Sequence, residues 1–363
     1  MLNFLKGNFF VLFTGLIIML GSFSAEAQLS RRQIKKNSKR MTGFKGKKNT
    51  FAKSRQYNYV GISLNGLNYL GDLSPNSSRY STDFKLTKPG VGLSFGHRFG
   101  PFYTLQGSFM YGTLVGDDFI SADPYQQDSR FRYVRNLSFR NHIKELSVTA
   151  VFDLYQNKNT YISRVSWTPY GFVGLSGFHH NPQGKVNQQS SLPEAGQWVN
   201  LKPLGTEGQY SDLPADAVNY GLKPYSNFQI SVPFGIGIRY RINDVMDFNL
   251  ETGTRYIFTD YIDDVSGNYV DLLYLNSDLA REMSDRSTEL NAAVSGEPRN
   301  IEARDATSGP IIAGNGGYDS YGGYGREFLY NYRGKSNNKD IYFVTTLRVT
   351  YILGGSYKKA KFR

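Results

Sequence analysis

Eight stretches of this chain alternate apolar and polar residues with a period of two, and no other feature of the sequence constrains the fold as tightly. Val60, Ile62 and Leu64 fall on one face, Ser63 and Asn65 on the other. Val91, Leu93, Phe95 and Phe99 alternate with Gly92, Ser94, Gly96 and Arg98. Tyr103, Leu105, Phe109 and Tyr111 alternate with Thr104, Gln106 and Ser108. Leu146, Val148, Ala150, Phe152 and Leu154 alternate with Glu145, Ser147, Thr149 and Asp153. Tyr170 and Phe172 mark a glycine-rich fifth stretch within 167–177. Ile230, Val232, Phe234, Ile236, Ile238 and Tyr240 oppose Ser231, Gly235, Gly237 and Arg239. Phe248, Leu250, Thr252, Tyr256 and Phe258 oppose Asn249, Glu251 and Arg255. Ile341, Phe343, Thr345, Leu347, Val349, Tyr351 and Leu353 oppose Thr346, Arg348 and Thr350. Successive side chains of a strand point to opposite sides, so each stretch reads as a strand with one apolar face.

A soluble sandwich would alternate too. Two features favour a membrane. Aromatics gather near strand ends (Tyr57, Tyr59, Tyr69, Phe99, Phe102, Tyr103, Tyr111, Tyr240, Phe258, Tyr351), as in the interfacial girdles of membrane barrels. The links also alternate in length. Those at about 99–101, 155–166 and 241–245 are short; those at about 71–88, 114–141, 178–228 and 259–338 are long. The expectation is an all-β fold, an eight-stranded antiparallel transmembrane β-barrel with short periplasmic turns and long extracellular loops. Eight is even, so both termini are expected on the periplasmic side.

The N-terminus fits export. Lys6 precedes an apolar stretch through Leu20 and an Ala25-x-Ala27 site, which together read as a secretory signal peptide over 1–27, cleaved after Ala27. The alternative, an anchoring helix, needs about 20 apolar residues. The localisation expected is the outer membrane.

Charge matters through its position. Residues 29–55 hold eleven cations and no acid, so of the formal +12 only +1 is left for the rest of the chain. Residues 28–56 read as a basic arm too polar to bury a core. It is either a solvated tail or a docking arm for an acidic partner or anionic lipid. Arg31, Arg32, Lys35, Lys36, Lys39, Arg40, Lys45, Lys47 and Lys48 are its candidate contacts. An exported chain is not expected to meet nucleic acid.

An eight-stranded barrel is narrow enough for side chains to fill. Arg98, Glu145, Asp153, Arg239, Glu251, Arg255 and Arg348 fall on the inward face. We expect Arg98, Glu145, Arg239, Glu251, Arg255 and Arg348 to form an ion-pair network, with Glu251 meeting Arg348 or Arg255 and blocking permeation. A small selective pore is the alternative.

Enzymatic and cofactor signatures are weak. There is no cysteine, hence no thiolate metal site or disulfide. The histidines are His97, His142, His179 and His180; the adjacent pair in a loop is poor evidence for a metal. Gly334-Lys335-Ser336 lacks the upstream glycine of a phosphate loop, since position 329 is Leu. The Gly/Tyr run 314–325 lacks dinucleotide spacing. Asp260, Asp263, Asp264 and Asp271 do not match a calcium loop, which leaves Asp263 and Asp264 as weak candidates beside the reading of a structured turn. We expect no catalytic residues and no cofactor. In the loops, Ser277 can cap a short helix with Leu279, Met283 and Leu290 on its apolar face. Loops as long as 178–228 and 259–338 usually have a job, covering the mouth or meeting a partner.

Five segments carry a resemblance. They are Tyr69-Leu-Gly-Asp-Leu73, Tyr111-Gly-Thr-Leu-Val-Gly-Asp-Asp118, Trp198-Val-Asn-Leu-Lys-Pro-Leu-Gly-Thr-Glu-Gly-Gln209, Tyr261-Ile-Asp-Asp-Val-Ser-Gly-Asn-Tyr-Val-Asp271 and Arg333-Gly-Lys-Ser-Asn-Asn-Lys-Asp340. In this order they make the chain, over most of 57–355, similar to the PorG-like outer-membrane β-barrels of the type IX secretion system of Bacteroidota. The resemblance implies a non-enzymatic barrel associated with a periplasmic ring of PorK-like lipoprotein and PorN-like subunits, with a link to gliding motility where that exists. The arm at 29–55 is longer than the family pattern. Rival expectations are a small pore or ligand-binding transporter, and a surface adhesion barrel acting through its long loops.

Overall fold

The computed structural model describes residue 51 and residues 55–73, 86–158, 160–335 and 339–353. The expected signal peptide and the arm residues Arg31 to Lys48 lie outside them.

Eight long strands form the wall: β1 (Tyr57–Leu70), β2 (Lys88–Arg98), β3 (Tyr103–Asp117), β4 (Ser138–Asp153), β5 (Trp167–His179), β6 (Phe228–Arg241), β7 (Met246–Ile257) and β8 (Ile341–Leu353). Each pairs antiparallel with the next, and β8 pairs with β1 from Asn58↔Leu353 to Leu70↔Ile341, so the barrel closes without an edge. The turns at one end are 99–102, 154–166 and 242–245; the loops at the other are 71–87, 118–137, 180–227 and 258–340. Among the described residues no helix is long and apolar enough to cross a membrane.

The apolar phase of every strand faces outward. Ile62 and Leu64 on β1, Leu146 on β4, Leu175 on β5 and Ile236 on β6 are each about two-thirds exposed. An unbroken belt of exposed Val, Leu, Ile and Phe around a closed wall is far larger than a soluble monomer tolerates, and it is the surface of a transmembrane barrel.

Two expectations need correction. Tyr57, Tyr59 and Tyr69 are not girdle residues: they are 6%, 7% and 4% exposed and point into the lumen. Their odd numbers put them in phase with Ser63 and Asn65, opposite Val60, Ile62 and Leu64. The lumen accommodates such rings because glycines face them. The Tyr59 ring lies where a Cβ on Gly96 would be, and Tyr170 does the same at Gly237. The outward girdle is made by Phe99, Phe102, Tyr111, Tyr240, Phe258 and Tyr351 instead.

β3 and β4 also run beyond the expected strands, pairing from Gly112↔Ile143 to Asp117↔Ser138. There the alternation inverts. Leu114, Phe139 and Ile143 point inward and are buried, while Thr113, Arg140 and His142 point outward. These rungs project past the apolar belt and are packed by loops, so a pattern of apolar-out residues ends where the strands do not.

The expected loop helix spans Asp278–Ser284, with Ser277 Oγ accepting from the Ala280 N–H at 3.1 Å. It stops short of Leu290, which is exposed, because Asp285 is extended and its carboxylate accepts from the Ser287 N–H.

Candidate functional site

The lumen and the loops above its mouth hold nearly all the ionised groups that are not on the surface. At the short-turn end Asp153 accepts from Arg98 at 2.6 Å and from Arg239 at 3.1 Å. Arg164, from the 154–166 turn, reaches Asp247 at 2.6 Å. One layer further in, Arg348 donates both Nη groups to Glu251 at 2.7 Å each. Tyr170 adds its hydroxyl to Glu251 at 2.7 Å, and Gln106 Oε1 takes Arg348 at 2.7 Å and Tyr59 at 2.8 Å. Above this, Glu145 accepts from Arg255 at 3.4 Å and from the Tyr342 hydroxyl. Of the two partners expected for Glu251, the structure places Arg348 against it and sends Arg255 to Glu145.

Two cavities in this polar zone have volumes of about 10 Å³ each, space for about one water molecule apiece. Beyond Glu145 the filling turns apolar: Leu67, Met110, Leu114, Phe139, Ile143, Phe178 and Val344 are buried as one cluster with loop residues Leu137, Val186, Leu201, Ile262, Val265 and Met283. The barrel is therefore stoppered twice, by ion pairs and by an apolar core shared with the loops.

The loops fold as a cap. Short helices α1 (Asp118–Ser121) and α2 (Arg130–Arg135) come from 118–137, and α3 (Asp278–Ser284) and α4 (Ile301–Ser308) from 258–340. Arg135 clamps Asp118 with two bonds of 2.7 and 2.8 Å and also donates to the carbonyls of Arg333 and Asp72. Arg333, 2% exposed, donates to Glu207 at 3.2 Å and to the carbonyls of Asp264 (2.5 Å) and Ser284 (3.3 Å). Glu207 in turn accepts from the Ser266 and Gly267 N–H groups at 2.9 and 3.2 Å.

The two weak metal candidates serve this frame. Asp264 accepts from Thr206 (2.6 Å) and Tyr225 (2.7 Å) in the left-handed conformation, φ 68°. Burial pushes its carboxyl up to about 6 against the pull of Arg333. Asp263 accepts from the Val265 N–H at 3.0 Å and meets the Tyr69 hydroxyl at 2.7 Å; Asp340 meets the same hydroxyl at 2.5 Å. One phenolic hydrogen cannot serve two carboxylates, so one of the two carboxyls carries a proton. Burial first, then the neighbouring carboxyls, holds Asp263 and Asp340 well above the carboxylate range. Asp260 beside them is raised to about 7, mainly by burial. Among the described residues no group of three or more His, Asp or Glu is arranged to hold a metal ion. His179 and His180 point apart: His180 is fully buried against the Ser226 carbonyl at 2.9 Å, His179 faces out.

Sequence reasoning missed Arg135, Glu207, Arg333 and Asp340 as a frame. The available signal was that the five segments carrying the family resemblance contain Asp72, Asp118, Glu207, Asp264, Arg333 and Asp340. These residues meet in the cap, across gaps of up to 271 residues between bonded partners.

Residues 47–200, less than half of the chain, match the model of a domain of unknown function, DUF6089. No curated protein sequence matches the chain. Among solved structures, the chain is similar to Ail, the attachment invasion locus protein of Yersinia pestis, solved with the heparin analogue sucrose octasulfate: 8% identity, 82% of this chain and 99% of that one, TM-score 0.32. It is also similar to Neisserial surface protein A, with 8% identity, 81% and 96% covered, and TM-score 0.33. The outer-membrane protein OprG of Pseudomonas aeruginosa gives 8% identity, 85% and 100% covered, and TM-score 0.34. The barrel assignment rests on the strand pairing of this chain and not on these likenesses.

Proposed function

We propose that this chain is a non-enzymatic structural barrel of the outer membrane that anchors an assembly, in the manner the family resemblance implies: a type IX secretion component holding the periplasmic ring of PorK-like and PorN-like subunits. The double occlusion of the lumen is the observation that carries this reading. A wall filled by ion pairs and roofed by an apolar core offers no solute path, so what remains for function is the two ends. The acid-free arm at 28–56 joins the barrel at the short-turn end of β1, where its charge would steer a periplasmic partner into place.

Two measurements test it. Purified protein in planar bilayers is expected to show no steady conductance at neutral pH; a stable open level would restore the small-pore reading. Deletion of residues 29–55 is expected to abolish salt-sensitive recovery of the ring subunits in pull-downs, and deletion of the gene to stop release of secreted cargo. Normal secretion in the deletion strain overturns the proposal.

A second reading has its own observation. The cap exposes Phe328, Leu329, Tyr330 and Tyr332 within five residues of one another, and it also holds an open groove of about 500 Å³ lined by Arg281, Glu282, Glu289 and Tyr318. Clustered exposed aromatics mark contact surfaces. Loss of surface adhesion with intact secretion, on replacing these four residues by Ser, would favour the adhesion barrel.

A further inference from the structure

The outward face of the barrel wall carries ionised side chains at one place. Arg140 and Lys144, both on β4, are the two cations on the outward phase of the eight strands. Register sets their surroundings. One rung aligns Tyr111, Lys144, His179 and Phe228; the next rung down the wall aligns Phe109, Leu146, Gly177 and Ile230. Cross-strand neighbours on one face stand about 4.5–5.5 Å apart at Cβ, so Lys144 and His179 form a pair. His142, one rung above, stacks on Tyr111 at 6.2 Å, and Arg140 lies over Trp198 at 4.1 Å. The one acid on the outward phase, Asp117 at the end of β3, is 6% exposed and three rungs away, and Lys144 forms no ion pair among the described residues.

Below the pair the wall is grooved. Gly177 has no side chain and lies between Leu146 and Ile230. The resulting groove, about 740 Å³, is lined by Phe109, Leu146, Phe228 and Ile230, with Lys144 and His179 at its upper end. A lipid-facing groove that ends in unpaired positive charge has the shape and charge of an acyl chain leading to a phosphate.

We infer that this groove holds one anionic, phosphate-bearing lipid of the leaflet on the long-loop side, its chain over Gly177 and its phosphate on Lys144 and His179. The inference rests on the reading of the barrel as a membrane-spanning wall, and the test separates the two. The full chain is placed in nanodiscs of equal phosphatidylcholine and phosphatidylglycerol, and the lipid it retains is counted by native mass spectrometry. Preferential retention of one phosphatidylglycerol is expected. Lys144→Gln should cut it about fivefold, as expected for one cation beside an anionic headgroup. Gly177→Trp should cut it by blocking the groove; a Cβ there meets nothing closer than the Gln229 carbonyl at 4.0 Å, so the strand is not strained. Equal retention of both lipids, unchanged retention in both variants, or full competition by millimolar inorganic phosphate would overturn the inference. Folding is read separately, as heat-modifiable gel migration after insertion into pure phosphatidylcholine vesicles. Insertion without lipid preference defeats this inference alone, whereas failure to insert defeats the membrane reading beneath it.

Discussion

Glu251→Ala is expected to lower the unfolding free energy of the barrel by about 3–5 kcal/mol, the usual cost of leaving a buried charge without its partner. Glu251 and Arg348 are both buried, and their two parallel bonds are the tightest ion pair at the centre of the lumen. Without the carboxylate, Arg348 keeps only Gln106 as a side-chain acceptor, and its Nε already lacks one. Tyr170 loses its acceptor in the same step. No neighbour can take over: Asp153 is engaged by Arg98 and Arg239, and Glu145 by Arg255 and Tyr342. Glu251→Ala with Arg348→Ala should recover much of the loss, because the desolvated cation goes with its counter-ion; the double-mutant cycle then reads the coupling directly. Urea unfolding in lipid vesicles, followed by the emission of Trp167 and Trp198, the two tryptophans, measures the parent, both single variants and the double variant. A single-variant loss under about 1 kcal/mol would show that the pair is solvated and the lumen open to water. The same variant should stay non-conducting, since the apolar layer from Leu67 to Val344 is untouched.

The wall was legible in the sequence and the cap was not, for a physical reason. A strand in a bilayer must show its apolar side chains to lipid, so period-two alternation is imposed at every rung. Strand count, order and turn lengths follow from it. Even the misplacement of Tyr57, Tyr59 and Tyr69 was avoidable, because phase, not proximity to a strand end, decides which side a ring takes. Where β3 and β4 leave the belt, Leu114 and Phe139 turn inward and the rule reverses without any local signal. In the cap, order comes from contacts such as Arg135 with the Arg333 carbonyl, 198 residues apart, and a lone arginine in a loop does not announce a partner so distant. The Asp-rich run shows the same limit. Asp263 and Asp264 suggest a cation by density alone, yet Thr206, Tyr69 and Tyr225 supply the donors that satisfy them.

Arg333→Ala should open the cap while leaving the wall closed. Arg333 is fully inside the cap, and its guanidinium joins residue 207 of one loop to residues 264 and 284 of another. Its removal leaves Glu207, also buried, without its cation. The carbonyls of Asp264, Met283 and Ser284 lose a donor as well. A cost of about 3–5 kcal/mol falls on the cap, since the strands keep every backbone bond. The population of open cap then rises by about two to three and a half orders of magnitude, and cleavage by external protease rises with it while opening is fast relative to cutting. New cuts are expected near 205–222 and 264–335, in protein whose gel migration still reports a folded barrel. Arg333→Lys should not rescue the cap, because a single ammonium cannot reach a carboxylate and carbonyls from two loop segments at once. Protease resistance equal to the parent in both variants would mean that the apolar cluster around Val186, Leu201, Ile262 and Met283 holds the cap by itself. The cost of burying Arg333 would then serve specificity of loop arrangement and not its stability.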